Sequence, residues 1–198
     1  MKKRHLTLPL LLIFVLVLSA CGNGKFKADT DWKVEPFEYT NQNNEKVSLD
    51  SLKGKPWLGM FIFTRCTTVC PPMTMNMTDI QKSFQDKGLE DYKIVGFSVD
   101  PEVDKPQVLN KYLNSYPVPD SSKWEFLTGY SQDEIADFAL KSFKTLVKDN
   151  PADDQVIHGT SFFLVDQNGV VVKNYSGAQD VPFDTIAVDM ETIIEDGK

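Results

Sequence analysis

Apolar residues along this chain fall into runs and stripes that switch between two periods, and the switches outline the fold. Pro56 to Phe63 is a continuous apolar run, the pattern of a central strand covered on both faces. A polar corner follows, and then Met73, Met77, Ile80 and Phe84 recur at spacings of four, three and four. That spacing predicts an amphipathic helix with Gly88 as its stop. Tyr92 to Val99 is a second apolar strand, and Asp104 is placed to cap a helix bearing Val108, Leu109, Tyr112 and Leu113 on one face. Trp124 to Leu127 reads as a strand, and Ser131-Gln132-Asp133-Glu134 as a capping box opening a helix through Leu140. Thr160 to Val165 and Val170 to Tyr175, joined by Asp166-Gln167-Asn168-Gly169, predict a hairpin. A last helix carries Phe183, Ile186, Met190, Ile193 and Ile194 inward. Upstream, Asp31 to Thr40 and Lys46 to Ser48 flank the polar Asn41 to Asn44 and predict another hairpin, followed by a short turn or helix over Leu49 to Gly54.

No internal repeat or low-complexity tract interrupts this order. Alternating strands and helices, closed by a hairpin and a helix, imply an α/β sandwich with a mixed central sheet flanked by helices. The order fits a thioredoxin-like core with an extra N-terminal β-hairpin and an inserted strand–helix segment. The polar corner then lies at the carboxyl end of a central strand, the usual ligand edge of such sheets.

The first twenty residues break the pattern. Lys2, Lys3 and Arg4 precede a mostly apolar stretch, Leu6 to Leu18, of signal-peptide length and too short for a comfortable membrane span. The segment ends Leu18-Ser19-Ala20-Cys21, which looks like the lipobox of a bacterial lipoprotein, with Cys21 lipid-modified (palmitate among the expected groups) and becoming the mature N-terminus. The other reading is an uncleaved N-terminal anchor. Both place the folded domain on the extracytoplasmic face of the cell membrane. The expected division is residues 1–20 as signal peptide, 21–31 as membrane tether and 32–198 as the folded domain. The whole chain has a formal net charge of −7, and residues 1–20 hold three basic residues and no acidic one. The mature balance of 18 basic to 28 acidic residues argues against nucleic acid or anionic lipid as a partner bound through overall charge.

With Cys21 assigned to the anchor, Cys66 and Cys70 remain, in the corner Phe63-Thr64-Arg65-Cys66-Thr67-Thr68-Val69-Cys70-Pro71-Pro72. A disulfide across three intervening residues closes a small loop and removes little chain entropy, so stapling is a weak explanation. At a helix start the positive end of the peptide dipoles favours a thiolate. Residues four apart there lie about 6 Å apart in Cα position, within reach of a disulfide or a shared metal ion. Thioredoxin-like proteins usually carry a cis-proline loop just before the closing hairpin. This chain reads Val156-Ile157-His158-Gly159-Thr160 there, and His158 is the one histidine left beyond the signal segment. Two thiols and an imidazole form a soft donor set that suits copper or zinc. Structural zinc usually takes four protein ligands, and no fourth Cys or His remains, which favours copper. Asp100, Glu102 and Asp104 fall on the same sheet edge, as loop acids, a helix cap, or acids supporting the site. Met73 and Met77 fit the core face better than a thioether site, and Arg65 is either a charge favouring a Cys66 thiolate or a plain surface arginine.

The run Phe63-Thr64-x-Cys66-x-x-x-Cys70-Pro71, the segment Ser98-Val99-Asp100-Pro101 with Asp104 beyond it, and His158 before Phe162-Phe163-Leu164-Val165-Asp166 together resemble the Sco/SenC family. The resemblance spans residues from about 32 to 194 and implies a membrane-tethered, thioredoxin-like copper-binding protein. It carries the family's ligands onto Cys66, Cys70 and His158, one copper ion per chain as Cu(I) or Cu(II), and supports Asp100 and Asp104 as acids behind the site. One departure is Thr67, where many members have proline. The implied function is maturation of the dinuclear copper centre of cytochrome c oxidase subunit II, by copper delivery, thiol reduction or both, with a thiol reductant protein as a further partner. The main rival is an extracytoplasmic thiol–disulfide oxidoreductase with Cys66 attacking and Cys70 resolving. A peroxiredoxin-like peroxidase is a third reading, because Thr64 stands two residues before Cys66.

Overall fold

The computed structural model describes residues 26–153 and 155–197, so the signal segment, Cys21 and the first part of the expected tether, residues 21–25, lie outside the described residues. The strands are β1 (Trp32–Lys33), β2 (Glu38–Asn41), β3 (Lys46–Ser48), β4 (Trp57–Ile62), β5 (Lys93–Ser98), β6 (Trp124–Thr128), β7 (Val147–Asp149), β8 (Val156–His158), β9 (Ser161–Val165) and β10 (Val170–Ser176). The helices are α1 (Leu49–Leu52), α2 (Cys70–Asp86), α3 (Pro106–Leu113), α4 (Gln132–Phe143) and α5 (Phe183–Asp196). None of them is long and apolar enough to cross a membrane.

Eight strands form one mixed sheet in the order β1-β10-β9-β4-β5-β6-β2-β3. The parallel trio β4, β5 and β6 is linked by crossovers through α2 and α3, and β9 and β10 close one side as an antiparallel hairpin. Every residue of β4 is buried, which is why its sequence is a continuous apolar run rather than an alternating one. Trp57 and Phe61 meet Phe143 of α4 on one face, while α2 and α5 pack together. Gly96, in the middle of β5, leaves room for the Phe126 ring, with which a Cβ would collide. The thioredoxin-like sandwich and its added N-terminal hairpin, β2 with β3, are both present, the hairpin joining the sheet through β2 and β6.

Three expectations change. Trp32–Lys33 leaves the N-terminal hairpin and pairs with β10 at the opposite edge, held there by the bond from Val34 N–H to the Gly169 carbonyl. Asp104 does not cap α3. Lys105 takes that position, Pro106 opens the helix, and the Asp104 carboxylate turns inward. The segment between α4 and β9 carries an unexpected second sheet of β7 and β8, and α4 itself runs on to Phe143, leaving Leu140 exposed.

Candidate metal centre

The corner after β4 is built so that its polar groups converge. The chain leaves the sheet at Phe63, turns back with the Cys66 N–H on the Phe63 carbonyl, and enters α2 at Cys70. Pro71 and Pro72 fill the first turn, where a missing N–H costs nothing and the fixed φ suits the helix. No side chain caps α2, and the Cys70 N–H donates to Cys66 Sγ at 3.3 Å. The positive end of the helix is therefore aimed at one sulfur.

His158 comes in at the end of β8, the strand that sequence patterning missed. Its Nδ1 lies 2.8 Å from the Gly159 carbonyl. A carbonyl only accepts, so Nδ1 carries the proton and the Nε2 lone pair is left for the site. Nε2 stands 3.4 Å from Cys70 Sγ. The Phe63 ring meets the imidazole edge-on at 5.7 Å between centroids and limits its rotation. One donor atom from each of Cys66, Cys70 and His158 lies within 4.8 Å of the others, the one such three-residue group found among the described residues. Both cysteines are free, with Cys70 fully buried and Cys66 7% exposed.

The two thiols are electrostatically unequal. A hydrogen bond from the Cys70 thiol, helped by the Cys70 and Thr68 backbone, holds Cys66 well below the ordinary thiol range against the cost of burial. Cys70 is pushed up, first by its bond to Cys66 and then by desolvation. The pair thus shares one proton, with the charge on the sulfur nearer solvent. A cleft lined by Phe63, Cys66, Val69, Ile157 and His158 gives access to the donors.

The acids behind the corner divide. Asp104 is fully buried and accepts from the Thr64 N–H at 3.1 Å, the Thr64 hydroxyl, and the Ser98 hydroxyl at 2.6 Å. It ties the ends of β4 and β5 together two residues before Cys66. Burial raises its pKa, opposed by those three donors. Asp100 pairs with the Arg65 guanidinium at 2.8 Å. Glu102 stays exposed. Met73 and Met77 are fully buried on the core face of α2, and Met75 is exposed. Sequence patterning also missed Thr68, whose hydroxyl lies 3.8 Å from Cys66 Sγ, because a threonine in a turn carries no periodic signal.

The family model described as SCO1/SenC matches residues 27–195. The chain belongs to this family. Its fold superposes on a SCO1/SenC family lipoprotein from Bacillus anthracis with a TM-score of 0.79 and 44% identity, over 82% of this chain and 95% of that one. BsSco, described with a disulfide switch and as a member of the Sco family of cytochrome c oxidase assembly proteins, gives a TM-score of 0.78 and 50% identity over 85% of this chain and 97% of its own. ScoI of Bradyrhizobium japonicum, solved with copper bound, gives 0.69 and 29% identity over 81% and 99%.

Proposed function

We propose that this Sco-family chain is a membrane-anchored, extracytoplasmic copper-binding protein that serves assembly of the dinuclear copper centre in cytochrome c oxidase subunit II. It does so by delivering copper, by reducing the recipient's cysteines, or both. The observation that carries this reading is the convergence of two sulfurs and one imidazole nitrogen within 4.8 Å. A soft donor set of this kind suits copper, the thiolates favouring the reduced ion and the imidazole helping to hold the oxidised one. Cys66, Cys70 and His158 would hold one ion per chain, with Asp104 fixing the corner and the Gly159 carbonyl fixing the ring tautomer. The lipid anchor is Cys21, supported by the basic, apolar and small-residue order of residues 1–21 and by the lipoprotein nature of the Bacillus anthracis relative. A thiol reductant protein would return the pair to its dithiol form.

Titration of the reduced protein with Cu(I) and Cu(II) tests this. The expected result is one tightly held ion per chain, with thiolate-to-copper charge-transfer absorption in the Cu(II) form. His158→Ala is expected to weaken Cu(II) binding by at least about tenfold, the lower end of what even an outer-shell change costs a metal site. If His158→Ala leaves Cu(II) binding and oxidase assembly intact while Cys66→Ser abolishes assembly, the oxidoreductase reading replaces this one. That second reading has its own support in the geometry, since a buried, protonated Cys70 beside a charged Cys66 is also how an attacking and a resolving thiol are arranged.

A further inference from the structure

The first described residues are fastened to one pole of the molecule. The Phe26 N–H donates to the Asp196 carboxylate at 2.6 Å, at the last residue of α5. Lys173 Nζ lies 5.1 Å from the centre of the Phe26 ring, and the Asp29 and Thr30 N–H groups both donate to the Val172 carbonyl. Phe26 and Ala28 line a surface depression together with Asp166, Gln167 and Asn168, the turn between β9 and β10.

The metal centre is at the other pole. β9 starts three residues after His158 and runs away from it toward that turn. The loop leading to α5 is held at the His158 end by the bond from Gly177 N–H to the Thr160 carbonyl, and α5 then runs to Asp196. The five residues of β9 rise about 16 Å and the fourteen of α5 about 21 Å, so two independent elements give a similar separation between the poles.

We propose that the pole formed by Phe26, Asn168 and Asp196 faces the bilayer, and that the metal centre points away from it toward a partner whose receiving site stands off the lipid surface. This rests on the lipid anchor at Cys21 proposed above. Five chain steps separate Cys21 from Phe26, a reach of at most about 18 Å when fully extended. Bringing the metal centre down to the lipid would require that link to climb the whole domain, about 16 to 21 Å of strand or helix plus the turns at both ends. The link is too short for that. A receiving site on a domain projecting above the membrane fits this orientation, and one sunk at lipid level does not.

The test uses the lipidated full chain in phosphatidylcholine vesicles that contain a rhodamine headgroup lipid. In a Cys66→Ser, Cys70→Ser background, a donor dye is placed on exposed Asn168→Cys, beside Phe26, or on exposed Ala152→Cys, in the β7–β8 turn whose Asn150 and Asp153 line the cleft at Cys66 and His158. Energy transfer to the lipid is expected to be severalfold stronger from position 168. Equal transfer, or stronger transfer from position 152, with the protein bound to vesicles overturns the orientation and leaves the anchor standing. Failure to float with vesicles overturns the anchor and the orientation together. Adding Phe26→Ala and Asp196→Asn is expected to narrow the difference while binding persists, and an unchanged difference would remove the Phe26 contacts as its cause.

Discussion

At the scale of single residues, the shared proton of Cys66 and Cys70 sets how the reduced protein responds to pH. In the unfolded chain both thiols titrate near the ordinary value of about 8.5. Between the depressed value of folded Cys66 and that range, the unfolded state binds two protons and the folded state one, so stability rises with pH. Above it the unfolded pair is bare while buried Cys70 keeps its proton, and stability falls. Denaturant melts of the reduced, metal-free protein from pH 6 to 10 should therefore show a maximum near pH 8.5 to 9 that is absent in Cys66→Ser, Cys70→Ser. Iodoacetamide at pH 6 should modify Cys66 and spare Cys70, as read by peptide mass spectrometry. Asp104 gives a second residue-level expectation. Asp104→Ala strands the Thr64 and Ser98 donors and should cost about 2 to 4 kcal/mol, whereas Asp104→Asn keeps an acceptor and, because burial already disfavours the charge, should cost less. Equal losses in thermal or chemical unfolding would show that packing alone holds the corner.

At the scale of elements, Gly159 links β8 to β9 and fixes where His158 stands. A Cβ there would run into the Thr145 hydroxyl, in the strand-side segment just after α4. Gly159→Ala should therefore displace the imidazole, lowering affinity for Cu(II) more than for Cu(I) and costing about 1 to 3 kcal/mol of stability by overpacking. Paired titrations and unfolding curves check this, and unchanged Cu(II) affinity would show that the ring tolerates the shift. This small region is also the least legible in the sequence. β4, β5, α2 and the β9–β10 hairpin were legible because each is long enough to show its period or turn signal. β7 and β8 have three residues each, with a polar loop between them, and show neither. His158 is legible because it stands at the sheet edge before β9, while β8 itself carries no local signal. An acid two residues before Pro106 has the sequence pattern of a helix cap, as Asp104 does. The three hydroxyl and amide donors that draw it inward come from Thr64 and Ser98, far apart in the chain and joined only by the fold. Trp32–Lys33 likewise carries no local sign that its partner is β10 across the sheet.

At the scale of the whole molecule, the three donors belong to different bodies of structure. Cys66 and Cys70 stand on the corner of the eight-stranded sheet, and His158 ends a strand of the separate β7–β8 sheet. An ion held by all three would restrain that small sheet against the large one. Copper loading should slow protease cutting at the exposed Pro151–Asp153 tip, while the disulfide form, which leaves His158 unbound, should be cut like the reduced protein. Loading at a thousandfold excess over Kd should also raise the unfolding free energy by about 4 kcal/mol.

The spacing of the donors along the chain separates the two states the cysteines can adopt. The disulfide would close a loop of five residues and restrict the unfolded chain by about 2 kcal/mol, whereas a bond between Cys70 and His158, 88 residues apart, restricts it by about 4.6 kcal/mol. Oxidation would thus tie a local knot, whereas a metal held by all three donors would be a cross-link through the middle of the polypeptide. If the chain delivers copper as proposed, handing over the ion would give up that cross-link, and cargo release and a loosening of the donor's own topology would be one event.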